Sequence, residues 1–182
     1  VIGLDNLNDY YDVNLKKARL NIIEKYDSFK FVYVDLQDKE ALEKVFKENK
    51  IDIVVNLAAQ AGVRYSLENP FEYEKSNMLG TLTIFEFARN NKIKTIIYAS
   101  SSSVYGNEKE VPFKESQKLD SPISLYAATK KANELYAYVY HHLVGINMTG
   151  LRFFTVYGPW GRPDMAIFKF TKNIIENKPI DV

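Results

Sequence analysis

Short apolar runs alternate with longer stretches of helical periodicity along the chain. The runs are rich in β-branched and aromatic residues, and several lack the strict alternation of a half-exposed strand, which is typical of strands buried on both faces. They span residues 1–4, 31–34, 51–59, 95–100 and 149–154. We therefore predict five buried strands.

Apolar residues recur every three or four positions between these runs and so mark one face of a helix. The sets are Leu15, Ala18, Ile22 and Tyr26; Leu42, Val45 and Phe46; Met78, Leu82 and Phe85; and Ala128, Ala132, Leu135, Val139 and Leu143. A last helix is predicted over 165–177. Strands that alternate with helices at this spacing favour right-handed crossovers, and hence an α/β fold with a parallel sheet covered by helices on both faces.

A short group of residues lies at or directly after the end of each predicted strand and is a candidate for ligand contact. These groups are Asp5 and Asn6; Asp35 and Leu36; Ala58, Ala59 and Gln60; Ser100 to Ser103; and Phe154 and Thr155. Ligands of parallel α/β sheets bind at the carboxyl ends of the strands. We expect the five groups to converge on one crevice.

Composition narrows the class of protein. The 182 residues, 46% of them hydrophobic, suit one domain of ordinary size with a core of its own, and a net charge of +1 creates no field that would favour nucleic acid. No apolar run approaches the roughly 20 residues that span a bilayer. The absence of cysteine excludes a disulfide scaffold and agrees with a cytoplasmic location. We interpret His141 and His142 as a solvated pair and expect no metal site.

Tyr126 and Lys130 are the first candidate catalytic pair. A spacing of four residues on a helix places the phenol and the ammonium on one face, one turn apart. A nearby ammonium favours the phenolate form of a tyrosine and makes it a better base. The alternative is a solvated pair on the helix surface, which arises easily by chance in a chain with 13 tyrosines.

Four consecutive serines, Ser100 to Ser103, close the fourth apolar run. Hydroxyl groups buried without partners are costly, so four of them at a strand end are an unusual choice for packing. They are suited to donate hydrogen bonds to a hydroxyl or a carboxylate of a substrate. An ordinary serine-rich turn is the alternative.

Together these motifs resemble the extended short-chain dehydrogenase/reductase superfamily, which includes nucleotide-sugar epimerases and dehydratases. The resemblance rests on residues 101–106 (SSSVYG) followed by Tyr126 and Lys130. Residues 56–66 (NLAAQAGVRYS) and 150–165 (GLRFFTVYGPWGRPDM) resemble the UDP-glucuronate 4-epimerases more narrowly. The resemblance covers essentially the whole chain and implies a Rossmann-like, doubly wound fold.

The resemblance assigns cofactor contacts to several strand-end residues. Asp5 matches a carboxylate that binds the adenosine ribose and repels a 2′-phosphate, which implies NAD rather than NADP. A helix N-cap is the alternative role for Asp5. The implied NAD-binding residues are Asp5, Asn6, Asp35, Leu36, Ala58, Ala59, Tyr126, Lys130 and Phe153.

The implied reaction is epimerisation at C4 of a UDP-sugar. In such enzymes Tyr126 would take the proton of the C4 hydroxyl, Lys130 would lower the pKa of that base and hold the nicotinamide ribose, and Ser101 would hydrogen-bond the same hydroxyl. Hydride passes to NAD, the 4-keto sugar turns, and hydride returns to its other face. NAD is thus regenerated and stays bound.

Ser102 and Ser103 distinguish among the relatives. Related dehydratases carry Asp-Glu at these two positions. Serine cannot replace a carboxyl group as acid or base, so dehydration is disfavoured here. Two hydroxyls could instead hold the carboxylate of a glucuronate, whose 4-keto form is a β-keto acid that is prone to lose carbon dioxide. Arg64 and Arg162 are candidates for contact with that carboxylate or with the diphosphate. Thr155 stands where related 4-epimerases have an asparagine near the diphosphate.

The glycine-rich phosphate-binding turn of the family is missing from these residues. By the resemblance, the chain begins at the second strand of the fold and stops before most of the sugar-binding domain. We therefore expect a fragment, with a partial NAD-binding domain over 1–160 and the start of a substrate-binding region over 161–182. We also expect the fragment alone to bind NAD poorly and to lack activity.

The leading hypothesis is an NAD-dependent UDP-glucuronate 4-epimerase that supplies UDP-galacturonate for surface polysaccharide. The alternatives are a UDP-hexose 4-epimerase, a UDP-glucuronate decarboxylase, and a non-catalytic NAD-binding sensor. Retention of Ser101, Tyr126 and Lys130 argues against the sensor, which needs no base. By analogy with the family, a homodimer is expected through helices at 70–91 and 124–143.

Overall fold

The structure is a computed structural model that describes residues 1–180, so the last two residues of the predicted region 161–182 lie outside it. The chain divides into two compact units. The first contains Val1–Tyr33 and Thr155–Val182, and the second contains Val34–Phe154. The domain boundary predicted after residue 160 stays a prediction.

The first unit contains a two-stranded parallel sheet. Strand β1 (Ile2–Asp5) pairs with β2 (Lys30–Tyr33), and helix α1 (Val13–Ile23) connects them. Asp12 caps α1, because its carboxylate accepts a hydrogen bond from the backbone N–H of Asn14 at 2.8 Å. Helix α7 (Ala166–Ile175) belongs to the same unit.

The second unit contains a three-stranded parallel sheet with the order β3-β4-β5. These strands are β3 (Val54–Asn56), β4 (Thr95–Ser101) and β5 (Asn147–Phe153). Its helices are α2 (Lys39–Glu48), α3 (Tyr65–Glu68), α4 (Pro70–Tyr73), a π-helix (Glu74–Leu79), α5 (Gly80–Asn90), a 3₁₀ helix (Ser102–Tyr105) and α6 (Leu125–Val144). The prediction of an α/β fold with parallel, Rossmann-like strand pairing is confirmed.

Helix α6 is bounded by two standard signals. At its start, the Ser124 hydroxyl accepts a hydrogen bond from the backbone N–H of Ala127 at 3.1 Å. At its end, Gly145 adopts a left-handed conformation with φ of 72°, which a residue with a Cβ adopts only at a cost. These caps place Tyr126 in the first turn, directly behind the long irregular segment that follows the 3₁₀ helix.

Burial departs from the sequence predictions in several elements. The expectation of buried strands is wrong for β1 and β2, in which no residue is fully buried, and helices α1 and α7 likewise have no buried residue. Most of β5 is exposed, so the expectation of strands buried on both faces is wrong for this strand. In α6 the predicted apolar stripe faces outward, since Leu135 is 58% and Leu143 is 74% exposed. The buried face of α6 instead carries small and polar residues, namely Ala127, Thr129, Lys130, Asn133 and Ala137.

Candidate active site

Tyr126 and Lys130 lie on one face of α6, as their spacing predicts. The Lys130 ammonium nitrogen is 5.9 Å from the centroid of the Tyr126 ring. The buried Tyr73 ring meets the Tyr126 ring edge-on, with 6.1 Å between centroids, and so supports it from α4. The surface-pair alternative is wrong for Lys130, because this residue is only 3% exposed.

Lys130 connects α6 to the end of β4. Its Nζ donates a hydrogen bond to the backbone carbonyl of Ala99 at 2.9 Å. Burial disfavours the charged ammonium and lowers the pKa of Lys130 to about 8. A buried lysine with this pKa remains largely cationic at neutral pH and can both donate hydrogen bonds and stabilise a nearby anion.

The serines at the end of β4 have separate structural roles. Ser100 is buried and donates from its hydroxyl to Glu134 on α6 at 2.7 Å. Ser101 caps the 3₁₀ helix, since its hydroxyl oxygen accepts from the Ser103 N–H at 3.2 Å. The Ser101 hydroxyl also donates to the Ser103 hydroxyl at 3.2 Å. Ser102 and Ser103 are partly exposed in the first turn of this helix.

Gly106 ends the 3₁₀ helix in a backbone conformation that favours glycine. Its φ is 55°, and a Cβ at this position would collide with the backbone carbonyl of Ser121. The turn therefore holds the serine segment against the loop that leads to α6.

Carboxylates and an amide organise tight turns after two strands. In the first unit, Asp5 Oδ1 accepts from the Leu7 N–H at 2.6 Å, and Asn6 Oδ1 accepts from the Asn8 N–H at 3.1 Å. In the second unit, Asp35 Oδ1 accepts from the Gln37 N–H at 2.8 Å. The alternative role of Asp5 as a helix N-cap is wrong, because Asp12 caps α1.

The other predicted contact residues are distributed over both units. In the second unit, Ala58 and Arg64 are exposed, Leu36 and Ala59 are half-buried, and Phe153 ends β5 with 41% exposure. In the first unit, Thr155 is exposed. Arg162 forms a bidentate ion pair with Asp164 there, at 2.9 and 2.5 Å.

The two units each contain a cavity. One of about 580 Å³ in the second unit includes Phe153 and the Glu134–Arg152 ion pair in its lining, and one of about 520 Å³ in the first unit includes Arg162. Tyr126 and Lys130 line neither of them. Within residues 1–180, none of the helices combines the length and the apolar composition needed to cross a membrane.

The sequence did not predict the buried hydrogen-bond network around the Asn77 amide. Asn77, in the π-helix, accepts from the Gln60 N–H at 2.8 Å and donates to the Gln60 carbonyl at 3.0 Å. Its amide also donates to the Thr129 hydroxyl at 3.1 Å. The network therefore joins the loop after β3 to the turn of α6 that carries Lys130. Asn77 follows Glu74, Lys75 and Ser76 in the sequence, so nothing in its local context indicated that it is buried.

The family of the chain follows from comparison with known proteins. Residues 1–182 match the model of the NAD dependent epimerase/dehydratase family. The chain therefore belongs to this family, and the resemblance found in the sequence is confirmed.

Within this family, the chain is similar to several UDP-glucuronate 4-epimerases. The chain is 54% identical over 183 residues to UDP-glucuronate 4-epimerase 4 of Arabidopsis thaliana and 50% identical over 182 residues to UDP-glucuronate 4-epimerase of Thermodesulfobacterium geofontis. Among solved structures, it matches UDP-glucuronic acid 4-epimerase from Bacillus cereus in complex with UDP-glucuronic acid and NAD. That match has a TM-score of 0.90 and 35% identity, and it covers 99% of this chain and 56% of the other.

The match covers the whole of this chain but only part of each relative. The aligned region is 42% of the Arabidopsis protein and 56% of the Thermodesulfobacterium protein. The chain thus spans about half the length of the curated relatives it matches.

Proposed function

We propose that this chain belongs to an NAD-dependent 4-epimerase that interconverts UDP-glucuronate and UDP-galacturonate in the cytoplasm. The observation that carries the proposal is the buried Lys130, one helical turn from Tyr126 and hydrogen-bonded to Ala99, two residues before Ser101. The UDP-glucuronate 4-epimerases among the relatives support this choice of sugar.

The residues present suit NAD on two observations. Asp5 holds an exposed carboxylate at the end of β1, where it can accept hydrogen bonds from ribose hydroxyls. The Lys130 ammonium has three donors, of which the Ala99 carbonyl takes one. The other proposed cofactor contacts are Asn6, Asp35, Leu36, Ala58, Ala59, Tyr126 and Phe153. When bound, NAD supplies a reversible two-electron acceptor for the sugar C4.

The chain's own side chains would control the proton of the sugar C4 hydroxyl. Tyr126 Oη removes this proton as its phenolate and returns it as the phenol after the sugar has turned. The Lys130 ammonium stabilises the anionic oxygen. Ser101 orients the C4 hydroxyl by hydrogen bonding. We propose that these three residues are catalytic.

The substrate contacts would hold a carboxylate rather than remove a proton from C5. Ser102 and Ser103 have hydroxyls where a dehydratase needs carboxyl groups. Fixed donors can keep the C–CO2 bond of a 4-keto-hexuronate out of alignment with the ketone, which slows loss of carbon dioxide. Arg64, Thr155 and Arg162 are the further proposed contacts with the carboxylate or the diphosphate, and the Asp164 partner partly compensates the charge of Arg162.

A product assay on the protein at its full natural length tests this function. The protein is incubated separately with UDP-glucuronate, UDP-glucose and UDP-galactose, and the products are identified by proton NMR. We expect UDP-galacturonate from UDP-glucuronate and at least about 100-fold lower turnover of the neutral hexoses, because a cationic site left without its carboxylate partner disfavours them.

Each other outcome of that assay selects one alternative. Preferred turnover of the hexoses would identify a UDP-hexose 4-epimerase. A UDP-pentose with release of carbon dioxide would identify a decarboxylase. Bound NAD without turnover of any of the three sugars would identify the sensor.

We also propose that the protein forms a homodimer through the exposed face of α6. This face carries Leu135, Tyr138, Val139 and Leu143, which are 47% to 74% exposed. Helices α3 and α4, which pack against α6, expose Leu67 and Phe71 as well. Exposed apolar surface of this kind is typical of a protein interface.

Sedimentation analysis checks the dimer. Leu135→Lys combined with Val139→Lys is expected to convert a dimer to a monomer, because two charges would be buried in an apolar interface. The matched control adds the same charges at the exposed Asn14 and Asn21 of α1 and should stay dimeric. A wild-type monomer at micromolar concentration would contradict the proposal.

A further inference from the structure

Glu134 carries a largely buried carboxylate one helical turn after Lys130 on α6. Its side chain is 14% exposed. Oε1 accepts hydrogen bonds from the Ser100 hydroxyl at 2.7 Å and from Arg152 Nε at 2.8 Å. Oε2 accepts from Arg152 Nη2 at 3.0 Å. One carboxylate therefore joins α6 to both β4 and β5.

The two strand partners of Glu134 are neighbours in the sheet. Ser100 of β4 lies opposite Arg152 of β5 in the parallel register. Ser100 also lies between Ala99, whose carbonyl accepts from Lys130, and Ser101. Glu134 therefore binds β4 at Ser100, between the Ala99 carbonyl and Ser101.

Arg152 extends the connection to the loop before α6. Its Nη1 donates to Tyr105 Oη and to the Glu115 carbonyl, each at 3.3 Å. The guanidinium carbon also lies 5.1 Å from the centroid of the Tyr105 ring. The end of the 3₁₀ helix and the loop are therefore tied to the same ion pair.

The chemistry of these contacts favours a fixed geometry. A bidentate Arg–carboxylate pair restrains both distance and orientation. Burial opposes ionisation of Glu134, but hydrogen bonds from Arg152 and Ser100 outweigh it and hold the pKa of Glu134 below its ordinary value. The hydrogen bond with the same carboxylate raises the pKa of Arg152 above its ordinary value. The pair is ionised and directional at neutral pH.

We propose that Glu134 is a positioning residue, which locks α6 against β4 so that Lys130 meets the Ala99 carbonyl beside Ser101. The inference rests on the proposed function, because it assigns a catalytic purpose to that alignment. Glu134 itself touches neither the reacting sugar nor the base. Its effect passes through the helix that carries Tyr126 and Lys130.

Kinetics of Glu134 variants at full natural length provide the first test. Glu134→Gln keeps the shape but faces an amide or a neutral oxygen toward Arg152. We expect kcat for UDP-glucuronate to fall by about 100-fold with KM changed less than about threefold, because small misplacement of reacting groups affects the chemical step. The control is Glu43→Gln, which removes an exposed ion pair with Lys47 on α2 and should leave both constants unchanged.

A double variant separates positioning from stability. Glu134→Met combined with Arg152→Met replaces a largely buried ion pair by apolar side chains of similar size, which often restores stability. We expect a Tm close to that of the wild type together with a kcat that remains about 100-fold low. Wild-type kcat in this double variant would overturn the inference.

Chemical protection of Lys130 tests the same inference without turnover. Acylation by acetic anhydride, followed by mass spectrometry, reports how often the Lys130 amine is released from its buried site. We expect about tenfold faster acylation in both Glu134 variants than in the wild type. Unchanged protection of Lys130 in the variants would overturn the positioning role. If the variants lose protection but the wild-type protein turns over no UDP-sugar, only the proposed function is overturned.

Discussion

Tyr126→Phe is expected to lower kcat for 4-epimerisation by about 1,000-fold, within the range that general acid–base catalysis contributes. The substitution removes the oxygen that takes the C4 proton and keeps the ring that packs edge-on against Tyr73. Stability and the KM for UDP-glucuronate should therefore change little. Steady-state kinetics with thermal unfolding of the same samples measure both effects.

Tyr26→Phe is the matched control for this prediction. Tyr26 lies in the turn after α1 with 63% exposure, so loss of its hydroxyl should leave kcat unchanged. If Tyr126→Phe retained more than about a tenth of wild-type kcat, Tyr126 would not be the base.

Lys130→Met is expected to stabilise the fold while it lowers kcat by about 100-fold. Lowering the pKa of Lys130 from 10.5 to about 8 corresponds to about 3 kcal/mol of destabilisation by the buried charge at neutral pH. Loss of the hydrogen bond to Ala99 lowers the free energy of unfolding of the variant by about 1 kcal/mol. The variant should thus gain about 2 kcal/mol in the free energy of unfolding at pH 7.

The gain should depend on pH in a defined direction. The folded-state pKa of Lys130 lies below the unfolded value, so the unfolded chain binds more protons between about pH 8 and 10.5. Stability of the wild type attributable to this group therefore rises across that window. The advantage of Lys130→Met should be full below pH 8. Near pH 10.5 only the loss of the hydrogen bond to Ala99 remains, so the variant should there be slightly less stable than the wild type.

Urea unfolding of the cofactor-free protein at several pH values measures this difference. Comparison of variant with wild type at each pH cancels the titration of the other groups. A Lys130→Met protein that is less stable than the wild type at pH 7 would show that the buried charge is not a net cost.

The order of the strands and helices was largely predictable, because short apolar runs and helical periodicity mark these elements even where their residues are not fully buried. Four of the five strands appear within two residues of their predicted bounds, whereas β3 spans only Val54–Asn56 of the predicted 51–59. Residues 57–59 of that run are apolar but lie in the loop after β3, which Asn77 holds through Gln60. Local apolarity could not distinguish this loop from a continued strand.

The site was predictable where its chemistry follows one element. The four-residue spacing of Tyr126 and Lys130 depends on helix geometry alone, and the structure places them as expected. Glu134 and Asn77 could not be found in this way, because their partners are 34 and 52 residues distant at Ser100 and Thr129.

The orientation of α6 shows why periodicity misleads at such a site. The rule assigns the apolar face of a helix to the interior. In α6 the interior face carries Lys130 and Asn133, which hydrogen-bonding groups of the fold accommodate, and the apolar face is exposed. In a helix that has a polar site on its inner side and an apolar surface on its outer side, the usual burial of the apolar face is reversed.

The most direct test of the proposed reaction is isotope retention at C4. UDP-glucuronate labelled with deuterium at C4 is converted by the full-length protein, and the UDP-galacturonate formed is examined by NMR and mass spectrometry. Because the C4 hydrogen leaves and returns to the same sugar carbon while only the hydroxyl proton passes through Tyr126, we predict full retention of deuterium at C4. UDP-galacturonate that has lost this deuterium to solvent would contradict transient oxidation at C4 with return of the hydrogen to the same carbon. A pentose product instead would contradict epimerisation as the reaction.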